Sequence, residues 1–241
     1  MTAIDPGQRT TRTTCPYCGV GCGVLAAPDG SGGAAIAGDP DHPANFGRLC
    51  SKGAALAETL GLDNRLLHPT IGGARAGWDE ALDLIADRFR AAIAEHGPDS
   101  VAFYVSGQCL TEDYYVANKL MKGFIGSGNI DTNSRLCMAS SVAGHTRAFG
   151  ADIVPGTYED LEEADLVVLT GSNLAWCHPV LHQRLLAARA RRGTRIVVID
   201  PRRTDSCDAA DLHLALQPGS DVALFNGLVA ALAERGALDR N

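Results

Sequence analysis

Four cysteines near the start of the chain have the spacing of a metal site. Cys15, Cys18 and Cys22 form a C-x2-C-x3-C pattern, and Cys50 follows in a separate segment. The glycines between the first three allow the backbone to wrap closely around one centre. Thiolates suit either tetrahedral zinc or an iron–sulfur cluster. The three-plus-one pattern favours [4Fe–4S], because structural zinc more often takes two C-x2-C pairs. Zinc and unligated thiols remain the alternatives on spacing alone.

Lys52 stands two residues after Cys50 in a chain with only three lysines. An isolated lysine is most often a solvated surface residue. A cation beside an anionic cluster or cofactor would instead stabilise the negative charge that is gained on reduction. The residue type and position leave both interpretations open.

The composition excludes several classes of protein. The chain has 241 residues, a formal net charge of −7, 46% hydrophobic residues and 20% charged residues, which is ordinary for a globular protein with a core. The acidic balance argues against a nucleic-acid partner. The absence of a run of about 18 apolar residues argues against a membrane span, and no apolar stretch indicates a secretory signal. We therefore expect a cytoplasmic protein whose eight cysteines are reduced or metal-bound.

Two regions with different patterns must position these residues. Residues 1–68 are rich in Cys, Gly and Pro, and the short apolar runs Val24–Ala27 and Ala34–Ala37 predict a hairpin. From residue 69, helical periods alternate with β-branched runs, which is typical of a parallel sheet. We predict an α/β protein with a small N-terminal module of short β-strands (1–68) and a doubly wound, mostly parallel α/β region (69–241).

The second region is predicted in more detail from its periodicity. The predicted strands are Val101–Val105, Leu166–Leu169, Ile196–Ile199 and Leu212–Leu216. The first predicted helix begins at Trp78 and is ended by Gly97-Pro98. The other predicted helices span Glu112–Phe124, Met138–Phe149, His178–Arg192 and Val222–Arg235.

Seven short motifs occur in a fixed order from about Thr14 to the end of the chain. They are CPYCGVGC at the first three cysteines, RLCSKG around Cys50, SGQ at 106–108, NSRLCMASSVAG at 133–144, GSNLAWCHP at 171–179, IDPRRT at 199–204 and PGSD at 218–221. In this order they resemble the molybdenum bis-pyranopterin (dimethyl sulfoxide reductase-type) oxidoreductases. Within that family the chain most resembles the bacterial assimilatory nitrate reductases.

The resemblance implies roles for the residues around the cysteines. Cys15, Cys18, Cys22 and Cys50 would hold a [4Fe–4S] cluster, and Lys52 would lie between cluster and pterin as an electron-transfer bridge. Cys109, Cys177 and Cys207 match no ligand of the family, and we expect them to be packing thiols.

Cys137 matches the cysteine whose thiolate binds molybdenum in this family. Taken alone, such a residue is more often a buried core thiol. We predict that Asn133 and Ser134 cap a helix, which would place Cys137 in its first turn and lower the pKa of the thiol. Met138 follows where the formate dehydrogenases of the family carry a histidine. Because methionine moves no protons, this residue disfavours formate oxidation.

The implied cofactor is molybdenum bound by two molybdopterin guanine dinucleotides. Strand–turn–helix junctions offer free backbone amides to phosphate, a carboxylate after a strand binds guanine or ribose, and arginines offer forked donors. Gln108 and Asn133 match polar residues near the pterin. The expected nucleotide contacts are Thr170, Gly171, Ser172, Asn173, Asp200, Arg202, Arg203, Gly219, Ser220 and Asp221.

The resemblance predicts reduction of nitrate to nitrite by oxo transfer at molybdenum. The electron donor would be soluble: ferredoxin, flavodoxin or an NAD(P)H-linked reductase. Another molybdopterin oxidoreductase, such as a formate dehydrogenase-like enzyme, and a non-catalytic zinc or iron–sulfur module are the alternatives. Family enzymes are several times longer than one domain, so we expect a fragment that assembles the cluster but has little activity alone.

Overall fold

The computed structural model describes residue 4 and residues 7–238, which form short strands and helices. The strands are β1 (Thr11–Thr14), β2 (Gly23–Pro28), β3 (Ala34–Gly38), β4 (Thr70–Ile71), β5 (Ala74–Arg75), β6 (Phe103–Val105), β7 (Ile130–Thr132), β8 (Leu166–Thr170), β9 (Arg195–Ile199) and β10 (Leu212–Leu214). The helices are α1 (Ser51–Ala54), α2 (Trp78–His96), α3 (Thr111–Asn118), α4 (Ser134–Cys137), α5 (Ala139–Phe149), α6 (Tyr158–Glu163), α7 (Leu174–Cys177), α8 (Pro179–Arg192) and α9 (Asp221–Glu234).

The chain divides into two compact units. The discontinuous unit comprises the residues up to Gly61 and those from Gly156 onward, and the inserted unit comprises Leu62–Pro155. The domain boundary at residue 68 stays a prediction.

An antiparallel sheet with the order β1-β2-β3 forms the first part of the discontinuous unit. The predicted hairpin of β2 and β3 is confirmed, with Ala26 opposite Ile36. Asp29 closes its turn by accepting hydrogen bonds from the amides of Ser31 and Gly33 at 2.8 and 3.0 Å. The strand β1 was not predicted, because its Thr-Arg-Thr-Thr sequence is exposed throughout and carries no apolar alternation.

A parallel sheet with the order β10-β9-β8 forms the second part of that unit. Val167 and Leu169 of β8 alternate inward and pack with Ile196 and Val198 of β9. The helix α8 connects these strands and buries Leu185 against them. The predicted α/β class, with short strands first and a parallel-strand region after, is confirmed.

The inserted unit contains the parallel pair β6 and β7 and the long helix α2. The helix α2 ends at Gly97, which has φ of 84°, as predicted. The predicted helix at 112–124 changes to a π-helical turn at Lys119–Ile125, and the predicted helix at 138–149 begins only after Met138. In the part of the chain that the structure describes, no helix is both long and apolar enough to cross a membrane.

Candidate iron–sulfur and molybdopterin sites

The first three cysteines lie on the loop that connects β1 and β2. The amide of Cys15 donates to the carbonyl of Cys22 at 2.9 Å, which closes the loop at its base. Inside it, the amide of Gly21 donates to the carbonyl of Cys18 at 3.3 Å. Gly21 has φ of 66°, a left-handed conformation that favours glycine. These bonds therefore hold the first three cysteines within one closed loop of the backbone.

The fourth cysteine is brought to this loop by the buried side chain of Asn45. Its amide oxygen accepts a hydrogen bond from the backbone amide of Gly23 at 2.8 Å, and its Nδ2 donates to the carbonyls of Gly23 and Arg48 at 3.0 and 2.8 Å. Gly23 directly follows Cys22, and Arg48 lies two residues before Cys50. One side chain thus joins the two segments that carry the cysteines.

The four cysteines line a common pocket. Cys15 and Cys22 are only 8% and 7% exposed. Burial, followed by the charges of the neighbouring cysteines, raises the pKa of Cys22 to about 11. A bound metal centre would offset this cost, because thiolates are the ligand form and cations favour them. The remaining lining residues are Tyr17, Val20, Leu49, Gly53, Pro179 and Val180.

The pocket fits a cluster better than a single ion. Within residues 4 and 7–238, no group of three or more His, Cys, Asp or Glu side chains is placed to hold one metal ion. Four thiols lining one pocket match the set of four cysteines that holds a [4Fe–4S] cluster, whereas structural zinc more often takes two C-x2-C pairs, a spacing that these cysteines do not have. A Cβ on Gly53 would lie 3.8 Å from the Cys15 Sγ, an ordinary contact distance, and only 3.2 Å from the Leu49 Cδ2, which would have to shift.

Lys52 is the second residue of the one-turn helix α1, whose N-cap residue is Cys50. It is half-buried, and its Nζ donates to the Trp176 carbonyl at 3.4 Å. This contact joins the RLCSKG and GSNLAWCHP motifs. The lysine is therefore held at the border between the cysteine pocket and a predicted nucleotide site.

Parallel pairing in the inserted unit brings two other motifs together. The strands β6 and β7 end side by side, with Val105 opposite Thr132, so the SGQ loop and the NSRLC segment leave the same sheet edge. The Asn133 side chain accepts a hydrogen bond from the Gly107 amide at 2.6 Å. A Cβ on Gly107 would lie within 3.0 Å of Asn133 and Ser134 side-chain atoms, so the close approach requires glycine. Gln108 is exposed beside this contact.

The predicted helix start at Asn133 and Ser134 is confirmed, but the predicted side-chain cap is wrong. Asn133 makes no side-chain cap hydrogen bond, because its oxygen is taken by Gly107. The helix α4 has a single turn, and Cys137 is its last residue. An N-terminal helix dipole therefore does not explain a reactive thiol here. Cys137 is exposed, so the alternative of a buried packing thiol is also wrong.

The predicted nucleotide contacts lie along one edge of the parallel sheet. The strands β8, β9 and β10 are parallel, so Thr170–Asn173, Asp200–Arg203 and Gly219–Asp221 all follow carboxyl ends of strands. Gly171 has φ of 55°, and its amide donates to the carbonyl of Ile199 at 2.8 Å. This edge is where open α/β sheets bind ligands.

Not every polar group at this edge is free to bind a nucleotide. Arg203 pairs with Asp208 at 3.1 Å, and one oxygen of Asp200 accepts the amide of Arg202 at 2.8 Å. Ser220 precedes α9, but it donates to the Gln217 carbonyl at 2.6 Å and does not cap the helix through its side chain. The exposed guanidinium of Arg202 has no ion pair within residues 7–238.

Sequence reasoning missed several residues that build this edge. Ser206 is buried, and its hydroxyl accepts the Ala175 amide at 3.0 Å and donates to Asn173 at 3.4 Å. The Trp176 indole donates to Asp205 at 2.6 Å. Their partners lie about 30 residues away in sequence, so no local pattern indicates them. The position of Trp176 inside the GSNLAWCHP motif was the one available signal.

The chain is similar in sequence and in structure to known proteins. The chain is 64% identical over 231 residues to a nitrate reductase from Klebsiella oxytoca, which covers 95% of this chain and 26% of that protein. It is 44% identical over 235 residues to a periplasmic nitrate reductase from Desulfovibrio desulfuricans, covering 95% and 31%. The solved structure of acetylene hydratase from Pelobacter acetylenicus matches with a TM-score of 0.80 and 25% identity, over 95% of this chain and 32% of that one.

Two family models cover nearly the whole sequence. Residues 8–61 match the molybdopterin oxidoreductase Fe4S4 domain, which contains the four cysteines of the pocket. Residues 65–240 match the molybdopterin oxidoreductase model. The chain spans about a quarter of the length of the Klebsiella relative and about a third of the Desulfovibrio one. It belongs to the molybdopterin oxidoreductase family.

Proposed function

We propose that this chain is the cluster-binding and molybdenum-binding part of a nitrate reductase that converts nitrate to nitrite. The observation that carries the proposal is the 64% identity to a protein named nitrate reductase over 95% of the chain. The four-cysteine pocket and the Cys137 motif lie within that matched length, and both offer the thiolate chemistry that the two metal centres need.

In this proposal Cys15, Cys18, Cys22 and Cys50 hold a [4Fe–4S] cluster, and Cys137 binds molybdenum. When bound, the molybdenum cofactor would supply oxo transfer, and the cluster would relay from the donor, one at a time, the two electrons that nitrate needs, together with two protons, to become nitrite and water. Lys52 places a cation beside the pocket, where it favours the reduced state. The exposed Cys137 leaves space for a large cofactor.

The cofactor would be molybdenum bound by two molybdopterin guanine dinucleotides. Gln108 and Asn133 support the pterin side in the inserted unit. At the sheet edge of the discontinuous unit, Gly171, Ser172 and Asn173 offer backbone amides to phosphate. Within the described residues Arg202 makes no ion pair, so its guanidinium can offer forked donors to phosphate. The nucleotides would also contact Thr170, Asp200, Arg203, Gly219, Ser220 and Asp221.

Met138 favours nitrate over formate as the substrate. A thioether accepts no proton at neutral pH, so position 138 offers no base for withdrawing the proton of formate. Oxo transfer from nitrate requires none there. A formate dehydrogenase-like activity is the second candidate, and a formate-driven turnover of the intact enzyme would favour it.

A soluble donor, ferredoxin, flavodoxin or an NAD(P)H-linked reductase, would deliver the electrons in the cytoplasm. The acidic net charge argues against a nucleic-acid partner. The relative from Desulfovibrio is named periplasmic, so cell fractionation of the native host is the measurement that decides the compartment.

Metal and sulfide analysis tests the proposal. We expect about four irons and four sulfides per chain in protein purified without oxygen, and little nitrate reduction by this chain alone. One zinc and no iron would contradict the cluster. The catalytic arm uses the intact enzyme, in which nitrite formation must depend on molybdenum.

A further inference from the structure

The loop that carries the first three cysteines has a hydrogen-bond partner far away in sequence. The hydroxyl of Tyr158, the first residue of α6, lies 2.8 Å from the carbonyl oxygen of Val20 and 3.2 Å from that of Gly19. Both carbonyls lie between Cys18 and Cys22. A phenol donates one hydrogen, so the two carbonyls share it. This is the contact that holds the outer part of the loop.

A buried arginine ties the segment before Cys50 to the helices of the α/β region. The guanidinium of Arg184 on α8 is fully buried. Its Nη1 donates to the carbonyls of Pro43 and Ala44 at 2.7 and 2.9 Å, and its Nε donates to Glu162 at 2.7 Å.

The same guanidinium also fixes the ring of Tyr158. Its central carbon lies 5.3 Å from the Tyr158 ring centroid and 5.1 Å from that of Phe46. Cation–π contacts of this kind are strengthened by burial. The tyrosine therefore has little freedom to turn away from the cysteine loop.

A carbonyl held by Tyr158 also fixes the opposite side of its peptide group. The carbonyl dipoles of Gly19 and Val20 point towards the tyrosine because both oxygens accept its hydroxyl hydrogen. In a trans peptide the N–H is antiparallel to the C=O, so the N–H of each of these peptide groups points the opposite way. Val20 lines the cysteine pocket. Carbonyl oxygens that turned towards an anionic cluster would raise its energy, and most strongly in the reduced state.

We propose that Tyr158 is a positioning residue for the iron–sulfur cluster, and that Arg184 holds it in place. The hydroxyl fixes the Gly19 and Val20 peptide groups, which slows loss of the cluster and raises its reduction potential. This step rests on the proposed cluster at Cys15, Cys18, Cys22 and Cys50. Neither residue belongs to the seven sequence motifs.

The test compares Tyr158→Phe with wild type, each as the full chain carrying its cluster. The variant keeps the ring and removes the hydroxyl. We expect a reduction potential more negative than wild type, measured by redox titration. We also expect iron release to a chelator to be about tenfold faster, as for other residues that support metal ligands. The matched control is Tyr104→Phe, which removes a hydroxyl from a side chain that is 68% exposed.

Each outcome has a separate meaning. Unchanged potential and unchanged iron release in Tyr158→Phe would overturn the role of Tyr158 while the cluster stands. Wild-type protein without iron would overturn the cluster proposal and this step with it. Should Tyr158→Phe retain no cluster, the metal-free proteins are unfolded in urea. Equal stability would place the defect in the cysteine loop, as proposed, and a clearly less stable variant would contradict it.

Discussion

The cysteine pocket and the Cys137 segment, the two regions proposed to bind metal, hold their thiols in different ways. Cys15 and Cys22 are nearly buried on a loop that is closed by backbone and Asn45 hydrogen bonds. Cys137 is exposed at the end of a one-turn helix, and the following residues of α5 are exposed as well.

This difference distinguishes the cysteine pocket, which one unit encloses, from the Cys137 segment, which lies open on the surface of its unit. The pocket walls come from the discontinuous unit alone. The surface around Cys137 instead exposes apolar side chains, with Leu136 76% and Met138 43% exposed. The two sites should therefore respond differently to mutation.

Replacement of a pocket cysteine should have the largest effect. We expect Cys22→Ser to lose nearly all iron, because the loop cannot close a four-thiolate shell with three thiols. The control Cys177→Ser changes an exposed cysteine and should keep its iron. Iron and sulfide analysis measures both, and full iron content in Cys22→Ser would remove this residue from the cluster.

Replacement of Cys137 should separate the two sites. We expect Cys137→Ala to keep about four irons per chain, because this residue is not part of the pocket. In the intact enzyme it should abolish molybdenum-dependent nitrite formation. Turnover equal to wild type would refute the ligand role, whereas loss of iron would show that the sites are not independent.

Removal of the buried arginine should destabilise the discontinuous unit. Arg184→Met leaves Glu162 without its closest partner and two carbonyls without a donor. We expect a loss of about 3 kcal/mol in the free energy of unfolding in urea. Arg191→Met, at an exposed position of the same helix, should change it by less than about 0.5 kcal/mol. A loss of that small size in Arg184→Met would contradict the buried role.

The smallest effect is expected from pH. Burial lowers the pKa of His182 below its ordinary value. On acidification through about pH 6.5, the unfolded chain therefore binds a proton before the folded one does, and stability falls. We expect His182→Gln to flatten this dependence in urea unfolding between about pH 7.5 and 5.5. His96→Gln, whose side chain is 60% exposed, should follow wild type. A profile for His182→Gln that follows wild type would argue against a burial effect.

Periodicity predicted much of the fold because local sequence and tertiary packing agree there. The runs at Leu166–Leu169 and Ile196–Ile199 are strands, and the helix that begins at Trp78 ends at Gly97. The helix predicted at Met138–Phe149 begins one residue later, at Ala139, and the separate one-turn helix Ser134–Cys137 precedes it.

The cysteine spacing and motif order indicated the candidate site, but not the residues that support it. Arg184 was hidden because a charged residue on the buried face of a helix contradicts the apolar pattern. Tyr158 and Asn45 make their decisive contacts with backbone atoms, which carry no sequence signature. Such long-range partners follow from the tertiary fold alone.

The Asn45 side chain has a consequence for how the metal centre is assembled. By satisfying both backbone groups of Gly23 and the carbonyl of Arg48, it closes a loop of about two dozen residues through protein atoms. These hydrogen bonds offset part of the entropy cost of that closure. A cluster that binds at the cysteines therefore has less chain to immobilise.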